Sequence, residues 1–144
     1  MTDNNSLEDP AGPAILFVDD VDVIVDELKT MLALRGIAAL GAGTLDAAIA
    51  ALVLAPSIRL VASDIRLHDE AGEDLVARVA AHDQLRDRNL RFLFMTGDVM
   101  RFSEGATIEG HPLLLKPVQP QVLIRTVFDL LGRDEYQPGG GARA

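Results

Sequence analysis

The chain has 144 residues, of which 49% are hydrophobic, so it is long enough for one domain with an ordinary core and too apolar for a disordered acidic chain. Its 22 acidic and 13 basic residues give a formal net charge of −9, which argues against a nucleic-acid-binding surface. The absence of cysteine excludes disulfides, cysteine-based zinc sites and a thiol nucleophile. The polar start carries no export signal and no apolar run is long enough to span a bilayer, so we expect a cytoplasmic protein with no membrane partner.

The chain divides into one domain and two short tails. Residues 1–13 are polar and include two prolines, and we expect a flexible N-terminal segment there. Residues 14–132 hold the domain. Residues 133–144 contain a run of three glycines and are expected to form a disordered C-terminal tail.

Short apolar runs alternate with helical patterns along the domain. A helix is expected to follow Asp20 and to end at Gly36, and Thr44 and Pro120 occupy favoured first positions of two further helices. The segment 98–110 has two glycines and few apolar residues, so we expect only a short or mobile fourth helix there. The predicted strands are 14–18, 37–40, 59–63, 90–95 and 112–115, and the other predicted helices are 44–55, 73–82 and 120–132. This alternation predicts an α/β fold with a parallel sheet covered on both faces.

Four of the predicted strands end in residues suited to phosphoryl chemistry. The pairs Asp19-Asp20, Thr96-Gly97 and Lys116-Pro117 each follow a strand, and Asp64 follows another. Ligands of open parallel sheets bind beyond the carboxyl ends of the strands, so these side chains are expected to meet at one edge. Taken singly, each has an ordinary interpretation as a helix cap, turn residue or loop residue, but their combination favours a shared site.

The three aspartates point to a metal-dependent reaction. Two carboxylates about 5 Å apart repel by about 3 kcal/mol at an effective dielectric constant of 20, and a hard divalent cation relieves this repulsion. Asp64 is the best candidate nucleophile, because a carboxylate can attack phosphorus to form an aspartyl phosphate. Lys116 is expected to offset the charge of the transferred group, and the Thr96 hydroxyl and the Gly97 N–H to donate to its oxygens.

These residues match a known pattern. The run Ile-Leu-Phe-Val-Asp-Asp that ends at Asp20, Asp64 with Gly72 downstream, the Thr96-Gly97 step and Lys116-Pro117 resemble the receiver domain of two-component response regulators over residues 14–132. The resemblance implies a flavodoxin-like, doubly wound five-stranded parallel sheet with strand order 2-1-3-4-5. It also implies a signalling protein rather than an enzyme, with slow self-dephosphorylation.

The resemblance implies a role for each residue of the site. Asp64 accepts a phosphoryl group from a histidine kinase or a histidine phosphotransfer protein. Asp20, Asp64 and the backbone carbonyl of Arg66 ligate Mg²⁺ (or Mn²⁺), and Asp19 supports the metal through water. Thr96 and Lys116 sense the phosphoryl group, and the Lys116-Pro117 peptide bond is expected to be cis.

Two positions depart from the usual receiver pattern. Leu113 stands where an aromatic residue normally takes part in switching, as in a subgroup of single-domain receivers, and His68 replaces a common proline. We therefore expect signalling through order and disorder in residues 98–111. Arg66 and Asp98 occupy positions that influence phosphoryl lifetime in the family, and they are expected to pair across the mouth of the site.

The sequence leaves the output of such a receiver open. It is expected to lack an attached output domain and to act as a relay shuttle, a phosphate sink or a switch that docks on a protein partner, and a homodimer through strand five and the last helix is possible. The alternative is a small Mg-dependent phosphohydrolase of the haloacid-dehalogenase type with Asp20 as nucleophile, which gives Asp64 no role. A dinucleotide-binding domain needs a glycine-rich turn after the first strand, where this chain has Asp19 and Asp20.

Overall fold

The computed structural model describes residues 12–103 and 105–132. The disordered tail expected over 133–144 lies outside the described residues, as does the flexible segment expected at the start, apart from Gly12 and Pro13. Within the described ranges, none of the helices has the length and apolar character that a bilayer crossing requires.

The domain is a central sheet with helices on both faces. Its elements are β1 (Ile15–Val18), α1 (Asp22–Ala33), β2 (Ala39–Ala42), α2 (Leu45–Leu54), β3 (Leu60–Asp64), β4 (Arg66–Leu67), β5 (Glu70–Ala71), α3 (Asp74–Ala80), β6 (Arg91–Thr96), β7 (Thr107–Ile108), β8 (His111–Leu115) and α4 (Pro120–Leu130). Five strands of the sheet run parallel, and the short strand β7 pairs antiparallel with β8 and forms one edge of the sheet. The spatial order is β2-β1-β3-β6-β8-β7, so the predicted order 2-1-3-4-5 of the five parallel strands is confirmed.

The near-continuous apolar strands serve two cores, one on each face of the sheet. Successive side chains of a strand point to opposite faces. In β1, Ile15 and Phe17 therefore pack with α1 and α4, whereas Leu16 and Val18 pack with α2 and α3. All four of these side chains are fully buried. The two cores fix the positions of the parallel strands, and with them the positions of the strand ends.

The sheet register brings the functional strand ends to one level. Val18 lies opposite Ser63 in β3, so Asp19 and Asp64, the next residue of each chain segment, are neighbours. On the other side, Asp64 lies opposite Met95. Each of the four predicted strand ends therefore reaches the same edge of the sheet.

The second strand begins two residues later than predicted. Gly36 has a φ of 81°, and its N–H donates to the carbonyl of Ala33. The N–H of Ile37 donates to the carbonyl of Leu32, which completes a Schellman motif at the end of α1. Ile37 is 1% exposed. Its apolar character therefore reflects the helix end and the core rather than the start of a strand.

The helix expected between Asp98 and Gly110 is absent among the described residues of that segment. Residues 98–102 form a turn, and β7 forms a tight hairpin with β8 through Glu109 and Gly110, which both have positive φ angles. A two-residue connection with positive φ at both positions matches the twist of antiparallel strands. His111 is the first residue of β8, which therefore begins one residue before the strand predicted over 112–115. The prediction of a helix was wrong because the turn signal was carried by a glutamate rather than by the asparagine or aspartate that usually precedes the glycine.

Candidate functional site

Three carboxylates meet at the carboxyl edge of the sheet. Asp19 and Asp20 follow β1, and Asp64 is the last residue of β3. Each contributes one carboxylate oxygen to a group whose atoms all lie within 4.8 Å of one another. Asp19 is 2% exposed and the Asp64 side chain is 13% exposed, whereas Asp20 lies at the surface. The cluster is therefore open to solvent on the side of Asp20.

Backbone amides hold each of the three carboxylates in place. Asp19 accepts a hydrogen bond at Oδ1 from the N–H of Val21 at 2.9 Å, which also satisfies an amide at the start of α1. Asp20 accepts at Oδ2 from the N–H of His68 at 2.7 Å, across the mouth of the site. Asp64 accepts at Oδ1 from the N–H of Arg66 at a longer 3.4 Å. The Asp19 hydrogen bond is a local turn contact before α1, whose N-cap residue Val21 has no side-chain cap, so helix capping does not explain the position of Asp19 or Asp20.

Lys116 brings a positive charge to two of the three carboxylates. Its Nζ lies 3.0 Å from Oδ2 of Asp64 and 3.4 Å from Oδ2 of Asp19. The Lys116-Pro117 peptide bond is cis, as predicted, and the Lys116 N–H donates to the carbonyl of Thr96 at 2.7 Å. Burial by itself would lower the pKa of the Lys116 ammonium. The hydrogen bond and charge of Asp64, together with the charge of Asp19, outweigh burial and raise that pKa above its usual value.

Thr96 is held by the backbone that follows it. The residue is 4% exposed, and its Oγ1 accepts a hydrogen bond from the N–H of Asp98 at 3.1 Å. A hydroxyl has one proton to donate besides its acceptor lone pairs, so this hydrogen bond leaves the Thr96 proton free for a ligand. The next residue, Gly97, has open space around it, because a Cβ built there would come no closer than 4.0 Å to Lys116.

Gly72 permits a close approach to the backbone of Asp64. A Cβ at this position would lie 1.9 Å from the carbonyl oxygen of Asp64 and 2.6 Å from Oγ of Ser63. The Gly72 N–H donates to the carbonyl of Ile65 at 2.7 Å, which fixes the loop below β3. Any larger residue would displace the strand end that carries Asp64.

A solvent-filled cleft of about 260 Å³ opens beside this cluster of carboxylates. Thr96, Arg66, His68 and Asp98 line it, so the structure brings together the residues expected to modulate the site. The expected ion pair between Arg66 and Asp98 is absent from the interactions of the described residues. The cleft is also lined by Ile65, Glu70, Ala71, Glu73, Arg101 and Phe102.

Three charged residues of the cleft were missed by sequence reasoning. Glu70 accepts a hydrogen bond at Oε1 from the N–H of Leu45 at 3.0 Å, which joins the β4–β5 hairpin to the start of α2. Arg101 lies 4.0 Å from Oε2 of Glu73 and stacks 4.8 Å above the Phe102 ring. The Glu70–Leu45 and Arg101–Glu73 contacts join segments that are far apart in sequence, and no motif or spacing in the chain indicates them.

The position that lacks an aromatic residue is part of the core. Leu113 lies opposite Phe94 in the sheet register and is 5% exposed. The ring of His111, two residues earlier in β8, meets the Phe92 ring edge-on at 5.2 Å between centroids. The His111 and Phe94 centroids are 6.2 Å apart. This side of β8 is therefore filled by an aliphatic side chain and an imidazole.

The donor set of the carboxylate cluster suits a divalent cation. Carboxylate oxygens are ligands that Mg²⁺ and Mn²⁺ prefer. Three carboxylates and the Lys116 ammonium carry a formal net charge of −2, which one divalent cation balances. The residues present therefore fit the metal that the fold implies.

Comparisons with known proteins gave matches to solved structures alone. No protein-family model matches the sequence, and a search of curated proteins found no match. The chain is similar to the receiver domain of the PhyR response regulator of Erythrobacter litoralis, with 25% identity, a TM-score of 0.66, and coverage of 88% of this chain and 95% of that chain. It is also similar to a response regulator receiver protein from Pseudomonas putida, with 27% identity, a TM-score of 0.64, and coverage of 88% and 100%.

A third similar structure is the receiver domain of the hybrid histidine kinase CckA, with 26% identity, a TM-score of 0.63, and coverage of 82% of this chain and 98% of that chain. The same fold recurs in a receiver domain from Methylobacillus flagellatus at 21% identity and a TM-score of 0.68. The fold and the arrangement of the four strand ends therefore fit a response regulator receiver domain, the class of protein to which these similar structures belong.

Proposed function

We propose that this receiver accepts a phosphoryl group on Asp64 from a phosphohistidine, carried by a histidine kinase or a histidine phosphotransfer protein, in a reaction that depends on Mg²⁺ or Mn²⁺. The observation that carries the proposal is the position of the Lys116 ammonium, 3.0 Å from Asp64 Oδ2, beside a cluster of three carboxylates. This arrangement supports the proposal because it would give one edge of the sheet a nucleophile, a donor set for a metal and a positive charge.

The transfer needs few protein groups. A carboxylate oxygen of Asp64 attacks phosphorus, the bond from phosphorus to the donor imidazole breaks, and its electron pair returns to the imidazole nitrogen. Lys116 offsets negative charge on the transferred group, and the Thr96 hydroxyl donates a hydrogen bond to a phosphoryl oxygen. Asp20, Asp64 and the Arg66 carbonyl would hold a divalent cation, with Asp19 supporting it through water, and that cation would supply the further positive charge that phosphoryl transfer requires.

The cleft beside the site supports a modulating role for three residues. Arg66, His68 and Asp98 line the cleft together with Thr96. Arg66 is exposed and Asp98 is half-exposed, and no ion pair joins them among the described residues, so we expect them to act on access to the site rather than on stability.

The proposal extends to the cellular role. We propose that the protein acts in the cytoplasm as a phosphorelay shuttle, a phosphate sink or a switch that docks on a protein partner. Two copies of the chain would pair through β8 and α4. The lack of cysteine suits a reducing compartment. The net charge of −9 speaks against nucleic acid as the partner.

Asp64 is favoured over Asp20 as the nucleophile. The Lys116 ammonium contacts Asp64 and Asp19, whereas Asp20 is exposed and accepts the His68 N–H. A phosphohydrolase with Asp20 as nucleophile would leave the Asp64–Lys116 contact without a function. We therefore do not favour the haloacid-dehalogenase alternative.

The test is covalent labelling of two matched variants. Wild type, Asp64→Asn and Asp20→Asn are incubated with acetyl phosphate and Mg²⁺, and the modified residue is located by intact-mass and peptide mass spectrometry. We expect a phosphoryl group on Asp64 in wild type, weaker labelling of Asp64 in Asp20→Asn, and no labelling in Asp64→Asn. Covalent phosphate retained in Asp64→Asn would overturn the proposal.

A further inference from the structure

The stretch between Arg35 and Arg59 is almost free of charged residues. Its only charged residue is Asp46, although charged residues make up 24% of the chain. The Asp46 carboxylate is itself paired with the Arg78 guanidinium at 2.7 Å. The stretch forms the strand β2 and the helix α2, which are neighbours at one side of the sheet. A protein with a net charge of −9 therefore has a nearly uncharged surface at this side.

The strand β2 leaves one row of backbone hydrogen-bonding groups without a strand partner among the described residues. It is the last strand on its side of the sheet and pairs only with β1. The carbonyls of Ala38 and Ala42 accept hydrogen bonds from N–H groups that flank β1. Backbone polar groups alternate in direction along a strand, so those of Ala39 and Gly41 point away from β1. These groups are available to a further strand.

The edge formed by β2 lacks the features that usually prevent pairing with another chain. Natural edge strands are protected by lysine or other charges, by proline, or by a bulge. Residues 37–44 include no charged residue and no proline, and the register of β2 with β1 is regular along the whole strand. The charged residues beside this edge are Asp26 and Lys29 of α1, which have opposite signs and line a shallow cavity with Gly41. The edge is therefore open to strand pairing.

Exposed apolar side chains lie beside the edge. Leu40 shares the face of β2 with Ala42, which packs in the core between the sheet and α2, and Leu40 is 36% exposed. On α2, Ala47 and Ala50 are exposed, and Leu54 at the end of the helix is 82% exposed. A chain that pairs with β2 therefore also covers apolar surface, which favours association.

We propose that a second copy of this chain docks on the β2 edge, with the two β2 strands antiparallel about a two-fold axis. The groups of Ala39 and Gly41 in one copy then form hydrogen bonds with the same groups of the other. A two-fold axis makes this possible because one surface serves both partners, so the outward row of β2 is its own complement.

Charge favours a second copy as the occupant. Two chains that each carry a net charge of −9 repel one another over most of their surfaces, and such repulsion keeps proteins monomeric. The β2 edge and the outer side of α2 form a surface on which unpaired carboxylates would not oppose one another. This surface lies on the opposite side of the sheet from β8. The inference therefore goes beyond the proposed function and does not depend on phosphorylation of Asp64.

Leu40→Lys and Val122→Lys form a matched pair of variants. Each replaces an exposed aliphatic side chain, and each reduces the net negative charge of the chain by the same single unit. Leu40→Lys brings two ammonium groups together near the two-fold axis. Val122 is 41% exposed on α4, away from β2. Comparison of the two variants therefore separates a local effect at the β2 edge from a general change in repulsion between copies.

The experiment measures self-association and its effect on single amides, without a phosphodonor. Sedimentation equilibrium gives the dimer Kd of wild type and both variants. We expect Leu40→Lys to raise Kd at least about tenfold, because like charges across an interface oppose association. Val122→Lys should stay within about twofold of wild type, as is usual for surface substitutions outside a contact. In wild type, NMR hydrogen exchange at the amides of Ala39 and Gly41 should slow as protein concentration rises, while exchange at Leu40 should stay constant.

Three results would overturn the proposal. The first is a wild-type protein that stays monomeric at millimolar concentration. The second is a dimer that Leu40→Lys does not weaken, or that Val122→Lys weakens as much, since the contact would then lie elsewhere. The third is a dimer that leaves exchange at Ala39 and Gly41 unchanged, because the two β2 strands would not be paired. The exchange measurement uses wild type alone, so it decides the question even if Leu40→Lys does not fold.

Discussion

The Thr96 hydroxyl accepts the N–H of Asp98 and keeps its own proton free, so it can bind a phosphoryl oxygen without breaking its contact to the following turn. Leu113, at the position where the receiver resemblance leads us to expect an aromatic side chain, is buried in the core. Movement of Thr96 towards Asp64 would pull directly on Asp98 and on the turn that contains Arg101. A structural change at Thr96 would therefore first reach the backbone turn that follows β6.

Substitution of Thr96 tests this connection. Thr96→Ser keeps the hydroxyl, whereas Thr96→Val keeps the shape and loses the acceptor for the Asp98 N–H. We expect Thr96→Val to lower the free energy of unfolding by about 1–3 kcal/mol, because a buried amide loses its partner. Beryllofluoride should shift the NMR resonances of residues 98–103 in wild type and Thr96→Ser, and much less in Thr96→Val. Equal shifts in all three proteins would contradict a route through Thr96.

Gly72→Ala should destabilise the domain and disturb the phosphoacceptor. The added Cβ would overlap the Asp64 carbonyl oxygen, and forcing an extra carbon into a packed site typically costs about 1–3 kcal/mol. Gly43→Ala is the control, because its Cβ would meet nothing closer than the Asp19 carbonyl at an ordinary 3.9 Å. Urea unfolding measures the stability, and acetyl phosphate labelling measures the site. Equal unfolding midpoints for the two variants would show that the loop below β3 adjusts freely.

Divalent cations should stabilise the protein through the carboxylate cluster. A ligand that binds the folded state alone raises its stability in proportion to the logarithm of ligand concentration above Kd. We expect Mg²⁺ to raise the Tm of wild type and EDTA to reverse the effect. Asp20→Asn should lose most of this response. Asp26→Asn, which removes an acid from the exposed side of α1, should keep it.

Removal of Lys116 should make the carboxylate cluster more dependent on metal. In Lys116→Met, Asp19 and Asp64 lose the ammonium that lies 3.4 Å and 3.0 Å away. Hydrogen bonds to charged groups contribute about 1.5–3 kcal/mol, so we expect a loss of that order in EDTA. Added Mg²⁺ should recover more stability in the variant than in wild type. The measurement is calorimetric melting with and without Mg²⁺. An equal gain in stability on addition of Mg²⁺ in the two proteins would contradict this expectation.

The same contact predicts how stability depends on pH. Because Asp64 and Asp19 raise the pKa of Lys116 in the folded state, the ammonium contributes its full stabilisation below the unfolded pKa of about 10.4. That contribution is lost as the pH rises through the folded pKa. The difference in free energy of unfolding between wild type and Lys116→Met should thus be constant from pH 7 to about 10 and shrink above that range. Denaturant titrations across this range measure it, and a difference that grows above pH 10 would show the opposite sign.

The strand ends could be predicted from the sequence because local signals and topology agree there. Buried parallel strands are largely apolar, so a change to polar residues marks the end of each strand, and the sheet register then makes Asp19 a neighbour of Asp64. The contact of Arg101 with Glu73 could not be predicted in this way. It depends on how the turn after β6 sits over the start of α3, which is set by packing between segments 28 residues apart.

The errors have equally local causes. Glu109 adopts a φ of 50°, which is uncommon for a residue other than glycine, asparagine or aspartate, so the hairpin between β7 and β8 left little trace in the sequence. Ile37 has the apolar side chain of a strand residue but belongs to the end of α1. In both places the hydrophobic pattern predicted the wrong element, because a local backbone conformation that the pattern does not report ends or reverses the chain there.

The bond from the His68 N–H to Asp20 Oδ2 gives the cluster a natural probe. A backbone amide that donates to a carboxylate at 2.7 Å changes its chemical shift and its hydrogen-exchange rate when the charge on that carboxylate is shared with another ligand. Binding of a cation at the carboxylate cluster can therefore be followed through the amide resonance of His68, without substitution of any side chain in the site. His68, which departs from the receiver pattern, thus reports on the ligands of the adjacent Asp20.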